Sequence, residues 1–135
     1  MVIIILLQAA LWIWFLGCTT TYRIGKRLLV EGVGIKSAEF IMLCLYSIGL
    51  VSYHLYRPVG KWILLIVLVL WFAVQFLCHW YYTIFGASEK KIKGYNECFK
   101  DSIRIFPMSE KRLVPDLYHI FLHLLILTNI VICLA

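Results

Sequence analysis

The sequence has few charged residues for its length, and most of them lie between long apolar runs. Charged side chains make up 15% of the 135 residues, whereas hydrophobic side chains make up 63%. Soluble domains are roughly half apolar, so this excess excludes an ordinary soluble domain and predicts that lipid is the solvent. The net charge is +6, and because the charged residues lie between the apolar runs, we interpret them as signals of membrane topology and not as a nucleic-acid-binding surface. No nucleic-acid partner is expected.

Cysteine pairs and familiar catalytic motifs are also missing. The five cysteines form no C-x-x-C pair, which argues against a disulfide framework and a redox dithiol and favours small buried hydrophobes. Neither a phosphate-binding loop nor a Ser-His-Asp pattern is present. No basic residue precedes the apolar run that begins at Val2, so a cleaved signal is not expected and residues 1–22 are predicted to stay as a membrane helix.

Four apolar runs dominate the chain, and each is close to the ~20 residues that a helix needs to cross a bilayer. Because such runs lack two-residue alternation, they predict helices. The predicted fold is therefore one all-α integral membrane domain, residues 1–135, with four transmembrane helices in a bundle. The predicted spans are residues 2–22, 40–56, 62–85 and 117–135.

The connections between the runs predict the orientation in the membrane. Residues 23–39 and 87–114 hold most of the lysines and arginines, whereas "RPVGK", residues 57–61, reads as a tight turn with two basic residues. The positive-inside rule places the two longer connections in the cytoplasm. Both termini are therefore predicted on the non-cytoplasmic side.

The third connection has the three-to-four-residue spacing of an amphipathic helix. Its apolar positions are Ile92, Tyr95, Phe99, Ile103 and Phe106. Ser88 can cap its start and Pro107 can end it, so an interfacial helix is predicted over residues 88–106. Anionic lipid head groups are its expected contact, and a soluble partner is the alternative. The predicted membrane-surface residues are Lys90, Lys93, Lys100 and Arg104.

Polar side chains recur on single faces of the predicted spans. Asp116, His119 and His123 are separated by three and four residues, so they share one helix face, and His79 lies at a similar depth. Charged groups are costly in hydrocarbon, so these faces are predicted to turn inward around one cytoplasm-facing pocket. The candidates for ligand or metal binding are Glu39, His79, Tyr82, Asp116, His119 and His123. His54 is instead expected to join two helices by a hydrogen bond.

This pocket is compatible with three functions. Histidine and carboxylate groups suit proton-linked binding or translocation of an ion or small solute, which would need a homo-oligomer because four short helices enclose little space. Alternatively, His79, His119 and His123 could bind zinc, iron or haem, with or without catalysis. A third possibility is an accessory subunit of a larger membrane complex, since the connections are short.

Overall fold

The computed structural model describes residues 2–135, and these residues are mostly helical. The elements follow in the order α1 (Val2–Leu16), β1 (Tyr22–Ile24), β2 (Arg27–Val30), α2 (Ala38–Leu55), α3 (Arg57–Gln75), a π-helical turn (Phe76–Trp80), α4 (Tyr81–Phe85), α5 (Glu89–Cys98) and α6 (Leu117–Leu134). The helix from α3 through the π-helical turn to α4 is continuous, from Arg57 to Phe85.

Three helices are long and apolar enough to cross a membrane: Ala38–Leu55, Arg57–Phe85 and Leu117–Leu134. Helix α1 is apolar but has 15 residues, about 22 Å of helix, and so ends earlier than the predicted span of residues 2–22. The chain turns after Leu16, whose carbonyl accepts hydrogen bonds from the backbone N–H groups of Thr19 and Thr20 and from the Thr19 hydroxyl. This local bonding ends the helix although the sequence stays largely uncharged up to Tyr22.

The predicted tight turn at residues 57–61 is wrong. Tyr56 alone separates α2 from α3, and residues 57–61 form the first helical turn of α3. Pro58 suits this position because its missing N–H would have no intrahelical partner there. The two helices therefore form a close antiparallel pair with almost no loop.

The four long helices pack in a cyclic order, with α1 against α2 and α6, and α3 against α2 and α6. Buried side chains from all four fill the centre, among them Leu11, Tyr46, Leu68, Trp71 and Leu122. Two indole N–H groups bond across helices, from Trp12 to the Ser47 hydroxyl at 2.9 Å and from Trp14 to the Tyr118 carbonyl at 3.1 Å. Leucine, isoleucine and valine side chains remain exposed around the outside, as expected of helices that face lipid.

The predicted helix over residues 88–106 is too long by about two turns. Helix α5 ends at Cys98, because the backbone beyond it bonds elsewhere: the Ile103 N–H donates to the Leu28 carbonyl of β2, and the Leu117 N–H donates to the Ile103 carbonyl. The β1–β2 hairpin, which the sequence did not predict, supplies that partner. Its two strands and residues 102–103 hold the start of α6 in place.

The apolar face of α5 packs against the protein and not outward. Ile92 is buried, while Tyr95 and Phe99 contact histidines of the neighbouring helices. Ile103 packs against the buried core. Helix α5 is thus a cover over one end of the helices, which accounts for its amphipathic pattern without lipid contact by those side chains.

Candidate functional site: a histidine–aspartate cluster

The cluster begins at the start of α6, where Asp116 is the N-cap residue. Its Oδ1 accepts a hydrogen bond from the backbone N–H of His119 at 3.0 Å and lies 2.6 Å from His119 Nδ1. Pro115 before it and the helical spacing after it explain why the chain enters the helix here. One carboxylate therefore both caps the helix and holds a ring of the next turn, and because it can only accept, Nδ1 of His119 carries the proton.

His79 lies against His119. The two imidazole rings are stacked, with centroids 3.9 Å apart and planes inclined by 29°. Nδ1 of His79 shares a 2.7 Å hydrogen bond with the Tyr95 hydroxyl. A continuous polar row, which we call the histidine row, thus runs through Tyr95, His79, His119 and Asp116.

The π-helical turn places His79 in this row. The Tyr81 N–H bonds to the Phe76 carbonyl, five residues back, so the helix widens by one residue just where His79 lies. The His79 carbonyl accepts from the Thr83 hydroxyl at 2.9 Å, and that hydroxyl also lies 2.6 Å from the Leu113 carbonyl. Single π-helical turns of this kind often occur at functional positions, because they rotate one side chain out of the regular helical register.

Tyr95 of α5 and Phe99, the residue that follows this helix, contact the row from the side, and sequence reasoning did not place them there. The Phe99 ring lies 6.0 Å from that of His79 and 5.2 Å from that of His119, both edge-on. Burial, followed by the negative charge of Asp116, raises the pKa of the Tyr95 phenol. Tyr95 therefore stays protonated at neutral pH and can donate its proton to His79. The only signal in the sequence is their four-residue spacing, which is equally typical of a helix that contacts a membrane surface.

His123 lies one turn further along α6 and faces different neighbours. Its Nδ1 is 3.3 Å from the His119 carbonyl, and its ring meets the rings of Phe72 and Trp80 edge-on. Its Nε2 is buried and has no hydrogen-bond partner among the described residues. His123 is therefore adjacent to the histidine row but does not belong to it.

Two predicted members of the pocket lie elsewhere. Glu39 is exposed in the first turn of α2 and makes no hydrogen bond or ion pair with the histidines among the described residues. Tyr82 packs against Tyr81 and lies under the Lys91 ammonium, 3.5 Å from the ring centroid. The predicted convergence thus brings together His79, His119 and Asp116, with His123 adjacent, and for Glu39 and Tyr82 it is wrong. A shared helix face does not ensure contact, because contacts between helices depend on how the helices pack.

The predicted surface cations behave in two ways. Lys90 and Lys93 are exposed on α5, and Lys100 is exposed in the turn that follows it. Arg104 is partly buried instead, and its guanidinium donates to the carbonyls of Val114 at 2.9 Å and Phe99 at 3.2 Å. Arg104 therefore closes the segment between α5 and α6, a structural role that its position in the sequence did not reveal.

His54 makes the predicted link between two helices. Its Nε2 lies 2.8 Å from Gln8 Oε1, which joins α2 to α1 at the end of the molecule opposite the histidine row. The amide oxygen can only accept, so the imidazole donates. The backbone carbonyl of Gln8 also accepts from the Tyr46 hydroxyl at 3.2 Å.

Asp116 carries the negative charge of the cluster. Burial alone would raise the pKa of its carboxyl, but hydrogen bonds from the ring and backbone of His119, with the charge of that ring, outweigh it and hold the pKa below its usual value. The carboxyl is therefore ionised at neutral pH although the side chain is 2% exposed. It stabilises a proton on the imidazole next to it.

The geometry gives no support to a metal or haem site. Among residues 2–135, no group of three or more histidine, cysteine or carboxylate side chains is arranged to hold an ion. Nδ1 of His79 and Nδ1 of His119 are already bonded to Tyr95 and Asp116. Face-to-face stacking at 3.9 Å also leaves no space for a porphyrin between these two rings.

The chemistry that the row can perform is proton binding and proton exchange. It contains two imidazoles, one phenol and one carboxylate, and imidazole and phenol groups can both donate and accept a proton. Comparisons of the chain with models of known protein families, with curated proteins and with solved structures find no match. A function must therefore be inferred from this chemistry and from the helices that surround it.

Proposed function

We propose that α1 is a fourth span and that the chain crosses the membrane four times, with both termini on the non-cytoplasmic side. Two facts support this: α1 is uncharged throughout, and it packs against α2 and α6 within the same core. The strongly basic segments, β1–β2 and residues 87–114, then lie together at the cytoplasmic end. The histidine row lies at this end as well.

Cys98 provides a test of this orientation, because it is exposed at the end of α5. We expect a membrane-impermeant maleimide to label Cys98 in inverted vesicles and not in sealed right-side-out vesicles. Cys98→Ser identifies the signal, since Cys44 and Cys78 lie on apolar helix faces and Cys18 and Cys133 are buried. Labelling from the outside only would reverse the proposed topology.

We propose that the histidine row is a proton-binding centre that couples protonation to the binding or translocation of an ion or small solute. The observation that carries the proposal is the stacking of His79 on His119 between a phenol and a carboxylate. Two charged rings at 3.9 Å would repel each other, whereas one charge is stabilised by Asp116. The row therefore favours a single added proton.

Proton exchange within the row follows its hydrogen bonds. His79 can exchange a proton with Tyr95 and His119 with Asp116, whereas the two stacked rings interact through their faces and are joined by no hydrogen bond. Side chains such as Leu11, Trp71 and Leu122 fill the centre of the four helices. We therefore propose that a pathway across the membrane forms between copies of the chain in a homo-oligomer.

His79→Gln tests the proposal directly. Glutamine keeps a polar group near Tyr95 but does not titrate, so we expect proton-driven flux to fall at least about ten-fold. The measurement is pH change inside liposomes that contain the purified protein and a trapped pH-sensitive dye, after an imposed pH gradient.

His54→Gln is the matched control, because His54 is a membrane histidine outside the row. We expect it to keep most of the flux, and thermal unfolding in detergent confirms that both variants fold. Equal flux in the two variants, or none with the unaltered protein, would contradict the proposal.

A second candidate function is that of an accessory subunit, and a groove between α5 and residues 108–111 favours it. The groove has a volume of about 610 Å³ and is lined by side chains of both charges, including Lys93, Glu97 and Glu110. Such mixed charge suits a polar partner segment. A chain that is stable only when co-purified with another membrane protein, and not as a homo-oligomer, would favour this candidate.

A further inference from the structure

A second cavity lies at the opposite end of the molecule from the histidine row. It has a volume of about 260 Å³ and is lined by Ile4, Ile5, Tyr53, His54 and Arg57. These residues come from the start of α1, the end of α2 and the start of α3. The cavity therefore lies where the helices reach the membrane surface proposed to be non-cytoplasmic.

The charge at this end is positive and has no acidic side chain to balance it. All seven acidic side chains of the chain lie within residues 31–39 or 89–116, at the other end. Arg57 and Lys61 lie at this end, and among the described residues neither has a carboxylate within salt-bridge distance. The Arg57 guanidinium is held over the Tyr53 ring, 5.4 Å from its centroid. This stacking orients the cation without neutralising it.

The polar wall of the cavity has a buried support. His54 is bonded through Nε2 to Gln8 Oε1, and Gln8 is only 2% exposed. The Gln8 Nε2 group has no hydrogen-bond partner among residues 2–135. The imidazole next to Arg57 is thus held in one orientation, with Nδ1 left for another partner.

The remaining wall is apolar and continuous with the outer surface of the helices. Ile5 is 46% exposed on the face that meets lipid in the proposed topology, and Ile4 lies next to it. A ligand of this cavity therefore meets a cation on one side and hydrocarbon on the other. That combination matches a lipid better than a small soluble anion.

We infer that this cavity binds the phosphate head group of an anionic phospholipid. Arg57 contacts the phosphate, since a guanidinium matches phosphate oxygens with paired hydrogen bonds. The glycerol and the first part of an acyl chain lie against Ile4 and Ile5. The site is independent of the histidine row and requires only that these helices end at the membrane surface.

The test uses the full chain purified in mild detergent and two lipids with the same acyl chains, phosphatidylglycerol and phosphatidylcholine. We expect bound phosphatidylglycerol, measured by native mass spectrometry during titration, to exceed phosphatidylcholine about ten-fold. Arg57→Gln should remove this preference, whereas Arg57→Lys should retain part of it. Lys26→Gln, which alters an exposed cation in the turn between β1 and β2, is the matched control and should leave it unchanged.

Two further results would overturn the inference. Equal loss of binding in Arg57→Gln and Lys26→Gln would show that the total charge of the protein determines lipid binding, and not this cavity. Displacement of the lipid by glycerol phosphate at similar concentration would show that the site recognises a soluble phosphate without a tail. Thermal unfolding of each variant without lipid separates lost binding from lost folding.

Discussion

Replacing Gly60 by alanine is expected to destabilise the protein by more than about 3 kcal/mol, the upper end of the usual range for overpacking a close contact. Helices α2 and α3 approach most closely here, and a Cβ at Gly60 would overlap the backbone carbonyl of Ser52 and the backbone nitrogen of Tyr53. Backbone atoms of a helix cannot move aside as a flexible side chain can. The two helices would have to separate, which would open the contact between Gly49 and Leu64 as well.

Gly94→Ala is the matched control, because a Cβ at Gly94 meets no atom within 4 Å. Gly94 lies within α5, where alanine favours the helix by about 1 kcal/mol. Thermal unfolding in detergent should therefore show a lower midpoint for Gly60→Ala and an equal or higher one for Gly94→Ala. A Gly60→Ala protein as stable as the unaltered chain would show that the two helices do not touch at this position.

Replacing Asp116 by alanine is expected to cost about 2.5–4 kcal/mol of stability. About 1 kcal/mol comes from the lost N-cap of α6, and about 1.5–3 kcal/mol from the charged hydrogen bond to the His119 ring. His119 would then be left without its buried partner. Asp116→Asn separates the two contributions, because asparagine caps helices well but carries no charge. Asp116→Asn should retain the stability that comes from the N-cap and only part of the stability that comes from the hydrogen bond to His119.

Lowering the pH should also show the contribution of the Asp116 carboxyl to the stability of the fold. The pKa of Asp116 is lower in the folded protein than its unfolded value of about 3.9. Ionised Asp116 therefore stabilises the fold fully above that unfolded value, and the stabilisation is lost as the pH falls through the lower folded value. We expect the unaltered protein to lose stability below about pH 4 more steeply than Asp116→Asn. Parallel acid profiles, measured by tryptophan fluorescence, would show that the carboxyl does not stabilise the fold.

Helix α1, which is shorter than the predicted span of residues 2–22, shows that hydropathy does not predict where a helix ends. The run from Val2 to Tyr22 carries no charge, yet α1 ends at Leu16, because a chain of local hydrogen bonds around Gly17 to Thr20 competes with the helix. Hydropathy reports whether lipid tolerates a residue, and not where its backbone bonds. The three longer helices cover the apolar runs, because the backbone in those runs stays helical even through the π-helical turn at Phe76–Trp80.

In the histidine–aspartate cluster too, the sequence predicts which residues share a helix face but not which of them make contact. Spacing alone placed Asp116, His119 and His123 on one face of α6, since a helix repeats every 3.6 residues. It did not show that His123 turns to Phe72 and Trp80 while His119 stacks on His79. That difference depends on a π-helical turn and on the position of α5, neither of which has a clear signal in the sequence.

By itself, then, the sequence determined that the chain is apolar and helical, and that acid and imidazole groups recur on faces of those helices. Only the tertiary structure decided which of these groups meet, because contacts between helices depend on close approaches such as that at Gly60 and on the covering segment from α5 to Ile103. Periodicity acts within one helix, whereas the row of Tyr95, His79, His119 and Asp116 joins three separate parts of the chain.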